Sequence, residues 1–275
     1  MATATGQFTP SEGSDFYYAC LYLPAEQRQA IHILGALRDE LLNIPETCDD
    51  LGVAHTKLAW WRTEIANIPI RSSAHPLAAA FSSLVERNRT LVPCFCDFID
   101  SIMAAQQPRR FHSEEELGCQ VENMHAGTVA AMLNCHATQP VIEPLPSQRL
   151  IGLTERARAI LDIRNHRHHV SPLISQQALA ENGLTLELLR DAARSDDIHG
   201  LALSQLSYLH SILLQSTDEL DHNGKKNHRL CVSLARFALR RIELTLADGC
   251  RVLERRLDVT PLRKLWIAWR TQRGF

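Results

Sequence analysis

Apolar residues recur at three- and four-residue steps over most of this chain, and that pattern predicts helices almost throughout. Ile31, Leu34, Leu37, Leu41 and Ile44 form one such stripe. Pro24 suits the first turn of the helix that carries it, and Glu26 lies in the same turn, where a carboxylate meets the positive end of the helix dipole. Pro45 then stops or kinks the helix, because it offers no backbone N–H. The same period runs through 77–103, 114–136, 150–163, 201–220 and 230–257. No run of β-branched residues alternates with polar ones, so no strand is predicted. Proline and polar clusters place loops at 68–76, 106–113, 138–148 and 166–175. None is long enough for a flexible interdomain linker, and there is no internal repeat. The expected architecture is one all-α domain over 14–275, preceded by a polar tail at 1–13.

Composition narrows the function classes. A chain of 275 residues that is 45% hydrophobic can bury a sizeable core. A net charge of −2 gives no general attraction to nucleic acid, which is excluded as a partner. No stretch approaches the ~20 uninterrupted apolar residues of a bilayer span. The first residues lack the basic and apolar regions of a signal peptide, so a cytoplasmic location is expected. Free thiols are then expected for the eight cysteines. The close pair Cys94 and Cys96 would point about 200° apart on a helix, a poor metal clamp. The sequon Asn88-Arg89-Thr90 has no role in such a compartment.

Four segments hold candidate chemistry. The aromatic segment 16–22 either packs in the core or has Tyr17, Tyr18 or Tyr22 lining a pocket with a hydroxyl toward a polar ligand. Trp60 and Trp61 face different sides of one helix, so one of them packs in the core. Arg164, His166, Arg167, His168 and His169 form a basic cluster, either a solvated loop or a metal-free anion site built from guanidinium forks and imidazoles. Near the C-terminus, arginines from Arg236 to Arg273 alternate with leucine and isoleucine, and Trp266 and Trp269 come late. That is either a solvated helix face or a peripheral contact with a membrane.

Phe16-Tyr17-Tyr18-Ala19, Leu23-Pro24, Leu58-Ala59-Trp60-Trp61-Arg62-Thr63-Glu64 and His75-Pro76 resemble the squalene/phytoene synthase family in order and spacing. So do Ala126-Gly127-Thr128-Val129, Leu179-Ala180-Glu181-Asn182-Gly183-Leu184, Leu262-Arg263-Lys264-Leu265 and Ala268-Trp269-Arg270. The resemblance implies an isoprenoid-synthase helical bundle around a central cavity, and head-to-head condensation of two prenyl diphosphates. It nominates Tyr17, Tyr18, Arg38, Trp61 and Gly127 as pocket residues. It also implies two aspartate-rich motifs that hold Mg²⁺ while diphosphate leaves.

Both motifs depart from that pattern. Arg38 is present, but Leu41, Leu42 and Pro45 stand where the first motif has aspartates, and none offers a side-chain ligand. The second motif should fall near 159–166, where Asp162 is the lone carboxylate among Arg156, Arg158, Arg164 and Arg167. Glu46, Asp49 and Asp50 have i, i+3, i+4 spacing and, if helical, would present carboxylates about a turn late; Asp196 and Asp197, in a polar turn, would complete a relocated site. The run Glu40-Leu41-Leu42-Asn43 is similar to the family's complex I assembly factor branch, regarded as scaffold rather than synthase. Three readings stay open. One is a non-catalytic member that binds prenyl diphosphate or prenyl lipid, or assembles a protein partner, with no cofactor. Another is an active prenyltransferase with relocated ligands and Mg²⁺. The last is a metal-independent enzyme on another polyprenyl or phosphate substrate. Any of them fits a cytoplasmic protein with peripheral contact at the inner face of a membrane.

Overall fold

The computed structural model describes residues 8–48, 50–106, 111–135, 144–166, 174–190 and 195–274. Among them the regular elements are helical and no strand occurs, as the period of the apolar residues requires. In chain order they are α1 (Asp15–Cys20), α2 (Ala25–Thr47), α3 (Leu51–Asn67), α4 (Pro76–Val85), α5 (Leu91–Ala105), α6 (Glu114–Asn134), α7 (Leu145–Leu161), α8 (Ile163–His166), α9 (Gln176–Glu181), α10 (Ser195–Asp218), α11 (His222–Asn227), α12 (Arg229–Ala247) and α13 (Pro261–Gln272). Backbone proximity groups them into two compact units. One comprises Met1–Gln107 and Met124–Leu145, the other Pro108–Asn123 and Pro146–Phe275. Among the described residues no helix is long and apolar enough to cross a membrane.

In the first unit α2 carries the expected stripe inward: Ile31, Leu34, Leu37, Leu41 and Ile44 are all buried. Pro45 does not stop the helix, which runs on to Thr47. It removes one donor only, and the next turn closes when the Cys48 N–H donates to the Ile44 carbonyl at 3.2 Å. The rings of Phe81 (α4), Phe95 and Phe98 (α5) meet edge-on, with centroids 5.2 and 6.4 Å apart, and fill the space beside α2. The expected single run 77–103 is broken at 86–90. There the Asn88 side chain accepts from the Thr90 N–H at 3.0 Å and from the Thr90 hydroxyl at 2.6 Å. This local turn satisfies backbone that a helix would otherwise use.

The second half of α6 lies against α5 at Gly127. A β-carbon there would sit 2.7 Å from the Cys94 carbonyl oxygen, so only glycine permits the approach.

The second unit is built on α7, α10, α12 and α13. Leu150, Ala157 and Ile160 of α7, Leu201, Leu206, Leu209 and Leu213 of α10, and Val232, Phe237 and Ile242 of α12 are buried. Three boundaries differ from the sequence-based expectation. α7 begins at Leu145, inside the expected 138–148 loop, because Pro146 suits a first turn and carries no N–H that needs a partner there. α10 begins at Ser195, which puts Asp196 and Asp197 in its first turn rather than in a polar turn, at the end of the dipole that favours carboxylates. α12 stops at Ala247 instead of continuing to 257. Gly249 (φ +77°) and Cys250 (φ +58°) are both left-handed, and the Cys250 N–H donates to Thr245 O at 2.8 Å while Gly249 N–H donates to Leu246 O at 3.1 Å. These paired bonds form a Schellman closure, which satisfies the last carbonyls and turns the chain away.

The Leu179–Leu184 segment ends α9 in the same way. Leu184 N–H donates to Leu179 O at 2.9 Å and Gly183 N–H to Ala180 O at 3.1 Å, with Gly183 at φ +66°. Its glycine is thus a backbone requirement.

Candidate functional site

Trp60 and Trp61 separate as expected: Trp60 is 47% exposed and Trp61 is buried. Trp61 lies on the inward stripe of α3 with Ala54, Leu58, Glu64 and Ile65, and its ring packs edge-on against His75 with centroids 4.7 Å apart. Glu64 accepts from Arg71 at 2.9 Å and from the Ser73 hydroxyl, whose oxygen accepts in turn from the His75 N–H at 3.1 Å. Trp61, Glu64, Ser73 and His75 therefore staple the 68–76 loop onto α3. Arg62 forks onto both oxygens of Asp100 at 2.7 and 3.0 Å and links α3 to α5.

Tyr17 and Tyr18 are half-buried on α1 and touch edge-on at 5.4 Å. Their neighbour Phe16 lies over α2 at Gly35, where an added β-carbon would meet its ring at 2.5 Å. Arg38 is one turn further along α2 and donates to Asp39 at 3.2 Å. The nominated residues Tyr17, Tyr18, Arg38, Trp61 and Gly127 thus all belong to the first unit.

The first-motif positions follow on α2. Leu41 is fully buried in the core of this unit, Leu42 is half-buried, and Pro45 sits in the last turn. Of the relocated cluster expected from Glu46, Asp49 and Asp50, the two described members do not share one helix. α2 ends at Thr47, and Asp50 caps α3, with Oδ1 accepting from Gly52 N–H at 2.6 Å and Val53 N–H at 3.1 Å. An N-capping carboxylate has its lone pairs directed at backbone donors of its own helix. Asp49 lies outside the described residues.

Asp162 follows α7 in the second unit and is buried, but its cations are not the ones that neighbour it in sequence. Arg241 of α12 reaches it with Nη2 at 2.6 Å and Nη1 at 3.4 Å, and Arg256 adds Nε at 3.1 Å. Arg241 Nε donates to the Leu257 carbonyl at 2.9 Å, which fixes the fork. The expected neighbours are engaged elsewhere. Arg156 is buried against Glu114 of α6, Arg158 pairs with Glu155 at 2.8 Å, and Arg164 reaches the Glu254 carbonyl at 3.3 Å. Arg167, His168 and His169 lie outside the described residues, and of His166 only the backbone is described.

Sequence reasoning missed Arg241 and Arg256 as partners of Asp162, because residues so far apart along the chain, 79 positions for Arg241 and more for Arg256, leave no local spacing to read. It also missed Ser147 and His228, a buried pair whose Oγ and Nδ1 lie 2.8 Å apart and which ties the start of α7 to the start of α12. Glu114 was a further miss; it accepts from Arg156 and from Ser175, which itself caps α9. Glu122, facing α7 at Gly152, has its carboxyl pushed above the usual range by burial, against the pull of Arg149 and Arg156. None of the eight cysteines is in a disulfide. Among the described residues no three His, Cys, Asp or Glu side chains converge in a way that could hold a metal ion.

A family model described as squalene/phytoene synthase matches residues 9–263. No curated protein matches the chain. Among solved structures, the chain is similar to a dehydrosqualene synthase crystallised with a ligand, with a TM-score of 0.76 and 11% identity over 95% of this chain and 91% of that one. It is also similar to the squalene synthase HpnC from Alicyclobacillus acidocaldarius, with a TM-score of 0.66 and 14% identity over 88% and 92%. At these identities the two structures carry the fold alone, which is the all-α isoprenoid-synthase fold.

Proposed function

Because the chain belongs to the squalene/phytoene synthase family, we propose that it is a non-condensing member, which binds a prenyl diphosphate or prenyl lipid without Mg²⁺-assisted loss of diphosphate. The observation that carries this reading is the state of Asp162, whose carboxylate is already neutralised by Arg241 and Arg256. Mg²⁺ is held through hard oxygen ligands in a near-octahedral shell. A carboxylate engaged by two guanidinium groups has its charge balanced and most of its lone pairs engaged, so it does not fit that role. The first-motif positions do not compensate. Leu41 is apolar and enclosed, and Asp50 is spent on capping α3. The retained scaffold and the family's prenyl diphosphate substrates support prenyl compounds as the ligand class.

The test incubates purified protein with farnesyl or geranylgeranyl diphosphate and Mg²⁺. Released diphosphate and bound prenyl compound are measured separately. The expected result is binding that chelation of divalent ions leaves unchanged, with no diphosphate released above the protein-free control. Sustained release, or binding that requires Mg²⁺, would overturn the non-condensing reading. Failure of both prenyl diphosphates and prenyl alcohols to bind would overturn the ligand class.

A further inference from the structure

α13 buries one mixed face and leaves a second, apolar stripe exposed. Lys264, Ile267, Ala268 and Thr271 are buried, and Thr271 and Gln272 accept from Arg236 and Arg229 of α12 at 2.9 and 3.3 Å. Leu262, Leu265, Trp266 and Trp269 repeat the same spacing two residues earlier, about 200° around the helix. They are 80%, 37%, 43% and 40% exposed. A solvated face would carry its charges there; this one carries two indoles and two leucines in a row.

The charge around the stripe is of one sign. Arg263 and Arg270 each hold a guanidinium 4.8 Å from the Trp266 ring, and Arg273 lies 4.3 Å from the Trp269 ring. All three arginines are exposed, and α13 contains no Asp or Glu. The buried Lys264 is paired with Asp258 at 3.1 Å on the other side of the helix. A chain of net charge −2 thus gathers three arginines along one exposed apolar face.

We propose that this outer face of α13 docks the protein on an anionic lipid bilayer. Indole rings settle at headgroup depth, guanidinium groups pair with lipid phosphates, and leucines reach the acyl boundary. Stacking on the indoles keeps the arginines at the height of the rings, where a phosphate layer would lie. A stripe about 10 Å long lies along such a surface without needing a shaped groove. This docking is independent of whether the chain condenses prenyl groups.

Co-sedimentation of the full chain with vesicles tests it, comparing pure phosphatidylcholine with phosphatidylcholine containing about 30 mol % phosphatidylglycerol. The expected result is binding to the anionic vesicles at low ionic strength, weakened at about 0.5 M salt. The triple variant Arg263→Gln/Arg270→Gln/Arg273→Gln is expected to lose affinity on the order of 100-fold. Trp266→Ser/Trp269→Ser is expected to lose it at least about tenfold, with an unchanged far-UV circular dichroism spectrum. If the tryptophan variant does not fold, the arginine variant decides, since its three side chains are all solvent-facing. No binding to anionic vesicles at low salt, or binding that both variants retain, would overturn the proposal. So would the absence of vesicle binding together with self-association, seen by sedimentation velocity, that the tryptophan variant abolishes, because a second copy would then be the occupant.

Discussion

Arg241 holds the Asp162 carboxylate by two nitrogens, and both side chains are enclosed in the second unit. Fork and carboxylate match in geometry, and Arg256 covers the same oxygen from the solvent side with most of its own side chain exposed. Removing Asp162 leaves the buried Arg241 guanidinium uncompensated, which costs about 3–5 kcal/mol, whereas removing Arg241 leaves Asp162 with the largely exposed Arg256 and costs less. Asp162→Ala is expected to lose stability of that order in urea unfolding, and Arg241→Met a smaller amount. The double variant Asp162→Leu/Arg241→Met is expected to recover most of it, because the buried charge is then gone. Millimolar Mg²⁺ is expected to leave the melting temperature of the unmodified protein unchanged.

Leu41 offers the reciprocal test on α2. Restoring a carboxylate with Leu41→Asp exchanges a fully buried leucine for an ion with no partner, at a cost on the order of 4 kcal/mol. Thermal unfolding is expected to fall sharply and Mg²⁺ is expected not to rescue it. A variant that gains stability from Mg²⁺ would show that this position can still face a metal.

Two glycines are required for different reasons, and alanine distinguishes them. Gly127→Ala drives a β-carbon into the Cys94 carbonyl, so α5 and α6 must separate, at about 1–3 kcal/mol. Gly183→Ala meets open space but strains a left-handed residue, at about 1–2 kcal/mol. Gly183→Asn is expected to cost less than alanine, because asparagine tolerates that conformation, whereas Gly127→Asn is expected to cost more. Chemical denaturation of the four variants measures all of this.

Burial raises the thiol of Cys135 to about 12 and that of Cys250 to about 11, from an ordinary value of 9.0. Both stay protonated in the folded chain at pH 8, so alkylation there is expected to be slow and to follow opening of the structure. Cys119, which is exposed, is expected to be modified first, as mass spectrometry of time points would show. The same shifts bear on stability with a definite sign. Each folded-state value is raised, so between about pH 9 and 11 the unfolded chain releases protons that the folded chain retains. Stability is therefore expected to fall as pH rises through that window, and replacing both cysteines with serine should flatten the decline.

Much of the fold was legible in the sequence because the information was local. The α2 stripe is buried as its spacing requires, and of two adjacent tryptophans one is enclosed, since neighbours on a helix are about 100° apart. The family-like segments were readable as a pattern, but their purpose was not. Trp61, Glu64 and His75 belong to a staple between α3 and the following loop, and the glycine of 179–184 closes a helix. The breaks at 86–90 and after Ala247 were missed because a side-chain turn and a left-handed pair override an apolar period that continues past them.

The absence of aspartates at positions 41, 42 and 45 is a property of the sequence alone, since no folding can give leucine or proline a carboxylate. The fate of the one acidic residue left in the second motif was decided only by tertiary structure. Sequence proximity surrounded Asp162 with Arg156, Arg158, Arg164 and Arg167, whereas the fold sent the three described arginines elsewhere and brought Arg241 and Arg256 to it. The reason is physical. Inside a protein an ion pair is set by which side chains share a buried volume, and helix packing brings together residues that the chain keeps far apart.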